Sequence, residues 1–185
     1  MSEDNQAGFS NEERLALPTV FAADLFRDKV ALVSGGGSGL GKATAVLFAR
    51  LGASVAICGR KPEKLDAVAA LISGLGAKVS THAMTIRDPE AVASLITDVT
   101  AAHGGLDVLV NNAGGQFPQP AIDYSVKGCN AVIDTNLNGS WYMMQAAARH
   151  WRDAGQPGSI VNIVADIWRG MPGIAHTCAA RAGVV

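Results

Sequence analysis

From residue 28 onward, short apolar runs alternate with helical patterns, and that alternation leaves few folds open. "KVALVSG", "ASVAICG", "AKVSTHAM", "LDVLVNN" and "GSIVNIVA" have the length and the Val/Ile content of strands. Between them lie "LGKATAVLFARLG", "PEKLDAVAALISGLG" and "DPEAVASLITDVTAAHG", with apolar residues at helical spacing, and then a long helix around "AVIDTNLNGSWYMMQAAARHWRDAG". Strict β-α alternation predicts a parallel, doubly wound sheet with helices on both faces, and right-handed crossovers narrow its topology. The strands read as continuous apolar runs, as strands covered on both faces do.

Punctuation along the chain agrees with this reading. Gly52 and Gly76 stand where helices end, and Asp88 precedes Pro89 as an N-cap precedes a first-turn proline. The 185 residues suffice for one domain with a sizeable core. Residues 1–27, polar at first and without a sustained period, are expected to form a flexible arm, and residues 28–185 the domain.

The turn after the first strand carries the first chemical signal. In "VALVSGGGSGLGKATA", Gly35, Gly37, Ser38, Gly39, Leu40 and Gly41 join strand to helix. Glycines there permit positive φ and a close approach of backbone to a pyrophosphate, whose charge meets the helix N-terminus. At the end of the second strand, where dinucleotide-binding chains often place a carboxylate for the adenosine ribose, this sequence has Gly59 and Arg60. A guanidinium in place of a carboxylate suits a 2′-phosphate, so NADP(H) is the expected cofactor rather than NAD(H).

Other classes are disfavoured. Lys and Arg total 15 against 16 for Asp and Glu, with no basic block, so nucleic acid is not an expected partner. Cys58, Cys129 and Cys178 are odd in number and lack metal-ligand spacing; neither a disulfide framework nor a metal site is expected, and a reducing cytoplasmic setting fits them. The acidic N-terminus does not read as a secretory signal, and no apolar run approaches the roughly 20 residues that span a bilayer.

Several stretches together resemble the short-chain dehydrogenase/reductase family: "SGGGSGLG" its phosphate loop, "NNAG" with Asn112, Ala113 and Gly114 the motif after its fourth strand, "TNLNG" with Asn136 its active-site asparagine, and "GSIVNI" its fifth strand. The resemblance implies a Rossmann-type fold over residues 28–185. "NNAGGQFPQPA" and "PGIAHTCAARAGV" look most like the trans-2-enoyl-CoA reductase branch and, more loosely, 2,4-dienoyl-CoA reductases. That likeness implies reduction of the C=C bond of an acyl-CoA with NADPH, as in fatty acid metabolism. A similar branch interconverts alcohols and aldehydes such as terpenoids, and a third reading is an NADP(H)-binding protein or fragment without turnover.

The catalytic pattern departs from the family's. Where most members present a tyrosine and, four residues on, a lysine, this chain has Thr177 and Arg181; Val164 and Ala165 stand where a serine is usual, and Thr85 where an aspartate is common. Threonine lacks the acidity of an activated phenol, and arginine stays protonated, so the pair is suited to holding an oxyanion rather than moving a proton. Asn136, Thr177 and Arg181 are therefore the candidate catalytic residues, with Asp166 and His176 as weaker candidates for a proton relay. Trp141, Tyr142, Met143 and Met144 are expected to pack or make subunit contacts. Relatives continue beyond a fifth strand and the start of a sixth helix, where "AGVV" closes this sequence; a C-terminally incomplete domain is expected, and a homo-oligomer if full length.

Overall fold

The structure, a computed structural model, describes residues 9–165 and 168–185. Five strands, β1 (Val30–Ser34), β2 (Ser54–Gly59), β3 (Val79–Ala83), β4 (Val108–Asn111) and β5 (Ser159–Asn162), form one parallel sheet in the order β3-β2-β1-β4-β5. The register aligns Leu32 with Ala56 on one side and with Leu109 on the other. The expected parallel, doubly wound sheet is thus what the chain forms.

Side-chain alternation assigns the two faces. Ala31 and Val33 of β1, with Val55, Ile57, Val108 and Val110, pack under helices α2 (Gly39–Arg50) and α3 (Pro62–Gly74). Val30 and Leu32, with Ala56, Cys58 and Leu109, pack under α4 (Pro89–His103) and α6 (Gly139–Ala154). Both faces of β1, β2 and β4 are covered, which is why these strands read as unbroken apolar runs. β5 is different: Ile160 and Val161 remain exposed, and among the described residues no strand pairs along its outer side.

Caps agree with the sequence signals. The Asp88 carboxylate accepts from the amides of Glu90 and Ala91 at 3.0 and 3.2 Å, and Gly52 and Gly76 come just after α2 and α3 at positive φ.

Two elements differ from expectation. Inside the segment expected to be a flexible arm, Asn11–Ala16 form a short helix, α1. A capping box starts it: Glu13 N–H donates to Ser10 Oγ, and Ser10 N–H to the Glu13 carboxylate, at 3.2 and 2.7 Å. Arg50 of α2 then donates to the carbonyls of Arg14 and Leu17, and Phe26 meets Phe48 edge to face, so the segment is tied to the domain.

The second difference is in the long helix. It begins earlier, as α5 (Val126–Ile133), and passes through a π-helical stretch, Asp134–Asn138, before α6. The Gly139 amide reaches Asp134 O, five residues back, and the Ser140 hydroxyl donates to Asn136 O at 3.1 Å. The last helix, α7 (Ala175–Ala182), packs against α5 and the π stretch.

Candidate functional site

The chain leaves β1 toward α2 on one face of the sheet and leaves β4 toward α5 and α6 on the other, so a crevice opens between the carboxyl ends of β1 and β4. Ser34 joins the two ends. Its hydroxyl accepts from the amides of Asn112 and Ala113 at 3.1 and 3.0 Å and donates to Val110 O. The Asn112 side chain donates to Ser34 O and Gly35 O at 3.0 and 3.3 Å, fixing the phosphate loop to the loop after β4.

A cleft of about 540 Å³ lies at this point. Of the residues expected to hold a cofactor, Gly35, Gly37, Ser38, Arg60, Asn112, Ala113 and Gly114 line it. Gly39, Leu40 and Gly41 do not line it; they form the first turn of α2 beside it. Ser38 occupies the N-cap without a side-chain cap bond, leaving first-turn amides available to an anion. Gly41 is required for packing: a Cβ there would lie 2.3 Å from Gly35 O and 2.4 Å from Asn112 Nδ2.

The charge of the cleft is one-sided. Arg60, Lys61, Lys64 and Arg87 line it, and no carboxylate does. Sequence reasoning missed Lys64, although it stands four residues after Arg60, one turn into α3; it also missed Ser34, Arg87 and Phe117, whose importance depends on partners distant in sequence. Thr85 lines the cleft too, and Arg87 Nε donates to Thr135 Oγ1 at 2.6 Å. Cys58, at the floor, is fully buried, and desolvation pushes its thiol up to about 12, so it remains a neutral wall atom. Glycine backbone, free helix amides and four cations suit a dinucleotide carrying phosphate groups.

None of the three expected catalytic residues lines the cleft: Asn136 and Arg181 stand behind Gly115 and Gly114, which do line it, and Thr177 lies four residues before Arg181 on α7. Asn136 is 1% exposed: its Oδ1 accepts from Gly115 N at 2.9 Å and its Nδ2 donates to Gly115 O at 2.8 Å. It positions the loop after β4 through one hydrogen bond at each polar atom. Arg181 and Thr177 share one face of α7, four residues apart. The Arg181 guanidinium lies against Gly114 and donates weakly to Ala113 O at 3.5 Å; among the described residues it has no carboxylate partner. Burial lowers its pKa from the usual guanidinium value, a desolvation cost that an anion at the loop would offset. Thr177 is 4% exposed, and its Oγ1 has no hydrogen-bond partner.

His176 is 3% exposed beside Phe117 and Tyr124. Asp166 lies outside the described residues, and Val164, where the family's serine is usual, is 41% exposed. Met143 is buried in the core, Tyr142 packs against it, Asn162 Nδ2 contacts Met144 Sδ at 3.3 Å, and Trp141 is exposed.

Fold, strand order and a glycine-turned crevice define a doubly wound nucleotide-binding domain of the oxidoreductase kind. Residues 29–185 match the family model described as short chain dehydrogenase, and the chain belongs to that family. It is 40% identical over 158 residues to a Bacillus subtilis protein named as a probable 2,4-dienoyl-CoA reductase, a match covering 85% of this chain and 62% of the relative. The solved structure of a citronellol catabolism dehydrogenase from Pseudomonas aeruginosa superposes with a TM-score of 0.84 at 43% identity, covering 90% of this chain and 68% of that one. Carveol dehydrogenase from Mycobacterium avium, solved in complex with NAD, superposes with a TM-score of 0.82 at 30% identity, covering 87% and 63%. The chain thus spans about three fifths of the length of the Bacillus relative. Among the described residues, no helix is long and apolar enough to cross a membrane and no cluster suits a metal ion.

Proposed function

We propose that this chain carries the cofactor site of an NADP(H)-dependent reductase acting on the C=C bond of a 2-enoyl-CoA. One observation carries the reading. Where the resemblance implies a tyrosine proton donor and its lysine, the site holds Thr177 with a buried, unpartnered hydroxyl and Arg181 with a buried guanidinium lacking a carboxylate. Neither group exchanges a proton readily near neutral pH, and both can donate to a developing oxyanion.

NADPH, when bound, supplies the hydride. Gly35, Gly37, Ser38 and the first-turn amides of α2 would hold its pyrophosphate, and Arg60 and Lys64 would supply positive charge to the 2′-phosphate. Asn136 fixes Gly115 and with it one wall of the cleft. Negative charge that gathers on the thioester oxygen when the β-carbon is reduced is held by Thr177, with Arg181 adding fixed positive charge, and a proton from water then reaches the α-carbon to complete the reduction. Donors aimed at such an oxygen contribute about 3 to 4 kcal/mol each. An alcohol–aldehyde conversion needs a proton at the oxygen itself, which this pair does not provide.

The test is NADPH oxidation with a medium-chain trans-2-enoyl-CoA beside a terpenoid aldehyde as the competing acceptor. Turnover of the enoyl-CoA alone supports the reading. Turnover of the aldehyde overturns it, and NADPH binding without turnover of either leaves a cofactor-binding chain rather than an enzyme.

A further inference from the structure

One cation of the cleft has no task in the reading above. Arg60 and Lys64 come just after β2, whereas Arg87 follows β3, the next strand outward in the sheet, and lines the same cleft. Its Nε donates to Thr135 Oγ1 at 2.6 Å, and Thr135 donates its own O–H to Ala131 O at 2.9 Å. The two Nη groups have no hydrogen-bond or ion-pair partner among the described residues. A guanidinium carries its N–H donors in one rigid plane, so with Nε tied the fork at its far end is left unspent.

The backbone around this fork is held in place. A Cβ at Gly139 would lie 2.7 Å from Ile86 Cγ1, so Ile86 packs directly on the start of α6, and Asp88 caps α4 through the amides of Glu90 and Ala91. Arg87 stands between these two anchors. Strand order then places its ligand. With a pyrophosphate at the N-terminus of α2, after β1, and a 2′-phosphate beside Arg60, after β2, the purine on the same ribose falls at the segment after β3.

We infer that Arg87 reads the edge of the purine base of the dinucleotide and favours an acceptor at its 6-position. The inference rests on the NADP(H) reading and adds a base preference to it. A guanidinium fork donates in parallel to O6 and N7 of a 6-oxopurine; adenine offers it N7 alone and turns an amino group toward the other N–H. No carboxylate lines the cleft to receive that amino group. The two that adjoin Arg87 and Thr135 in sequence are occupied, Asp88 at the cap of α4 and Asp134 by Asn138 Nδ2 at 3.0 Å. The hypoxanthine form of the dinucleotide therefore binds at least as tightly as the adenine form.

The experiment is a set of equilibrium titrations and needs no turnover. Dissociation constants of NADPH, NADH and their nicotinamide hypoxanthine counterparts are measured by dihydronicotinamide fluorescence on the parent, Arg87→Leu, Arg87→Lys and Thr135→Val, with urea midpoints as the check on folding. In the parent the hypoxanthine forms are expected to bind as tightly as the adenine forms or more tightly. Arg87→Leu should weaken the hypoxanthine forms about tenfold more than the adenine forms. Arg87→Lys and Thr135→Val keep the charge but lose the fork or its orientation; both should lower the base ratio while leaving the preference for NADPH over NADH unchanged, and they carry the comparison if Arg87→Leu does not fold. Hypoxanthine forms bound about tenfold more weakly than adenine forms by the parent, or a base ratio unmoved in the variants, overturn the inference and leave the NADP(H) reading standing. A fall in the NADPH preference of Arg87→Leu without a change in base ratio makes Arg87 a phosphate contact and overturns it likewise. A folded parent that binds none of these dinucleotides overturns the cofactor reading and this inference with it.

Discussion

Replacing Gly41 with alanine tests whether the crevice is built by backbone contact. A Cβ there would sit 2.3 Å from Gly35 O and 2.4 Å from Asn112 Nδ2, far inside van der Waals contact and against groups held by their own hydrogen bonds. No rotamer relieves an overlap with a carbonyl oxygen, so the first turn of α2 must move away from the phosphate loop. Overpacking of this kind costs roughly 1 to 3 kcal/mol, while the better helix propensity of alanine returns up to about 1 kcal/mol. The net expectation is a loss of roughly 1 to 2 kcal/mol of stability, with NADPH affinity falling at least about tenfold because the loop that cradles phosphate is displaced. Gly74 is the internal control. It is an exposed helical residue with nothing within 4 Å of an added Cβ, so Gly74→Ala is expected to stabilise by about 0.5 to 1 kcal/mol. Urea denaturation midpoints and NADPH fluorescence titrations on both variants measure these effects. If Gly41→Ala matched Gly74→Ala in stability and bound NADPH as the parent does, the close-packing argument would fail.

Three other outcomes are expected. Arg60→Asp should lower the preference for NADPH over NADH by at least about tenfold, read as the ratio of dissociation constants, since it replaces a phosphate partner by a charge of the phosphate's own sign. His82 and His103 both contact Ser80 Oγ, at 3.0 and 2.8 Å, and desolvation lowers the pKa of each below 6.5, with Lys78 adding to the effect at His103 and Asp98 opposing it at His82. The unfolded chain therefore binds more protons than the folded one below pH 6.5, and stability is full above that value and declines as pH falls. Denaturation midpoints at about pH 7.5 and about pH 5.5 should show this decline, and the double variant His82→Gln, His103→Gln should flatten it. Asp88→Ala removes the acceptor for two first-turn amides of α4 and should cost about 0.5 to 2 kcal/mol, measured by chemical denaturation.

The sheet was legible because β1, β2 and β4 carry their own local signal, apolar residues covered on both faces, while the less covered β3 and β5 follow from the β-α alternation that leads to them. The phosphate loop was legible for the same reason, as strand, turn and helix succeed one another within a few residues. α1 was missed although its capping box, Ser10 with Glu13, is present in the sequence; a helix of six residues shows no sustained period against which to read it. Asn136 was found by likeness, but its task was not, because the partner of both its polar atoms is the backbone of Gly115, which any residue would supply. His176 and Phe117 meet only after the chain has crossed α5, α6 and β5, and nothing in their spacing announces it.

The π-helical stretch 134–138 reads differently when α5 and α6 are treated as one rod with two working faces. One extra residue within a helix rotates all later turns by roughly 100° about the axis. Behind the offset, α6 directs Met143, Ala147 and Trp151 into the sheet; ahead of it, α5 packs against α7, the helix that holds Thr177 and Arg181. The stretch works as a phase shifter, letting a single helical segment serve the core and the site wall without a break. Deleting one residue within it should restore an uninterrupted helix and turn α5 away from α7. Asn136 would then face away from Gly115, and the wall of the cleft would lose its anchor while the sheet beneath stayed intact.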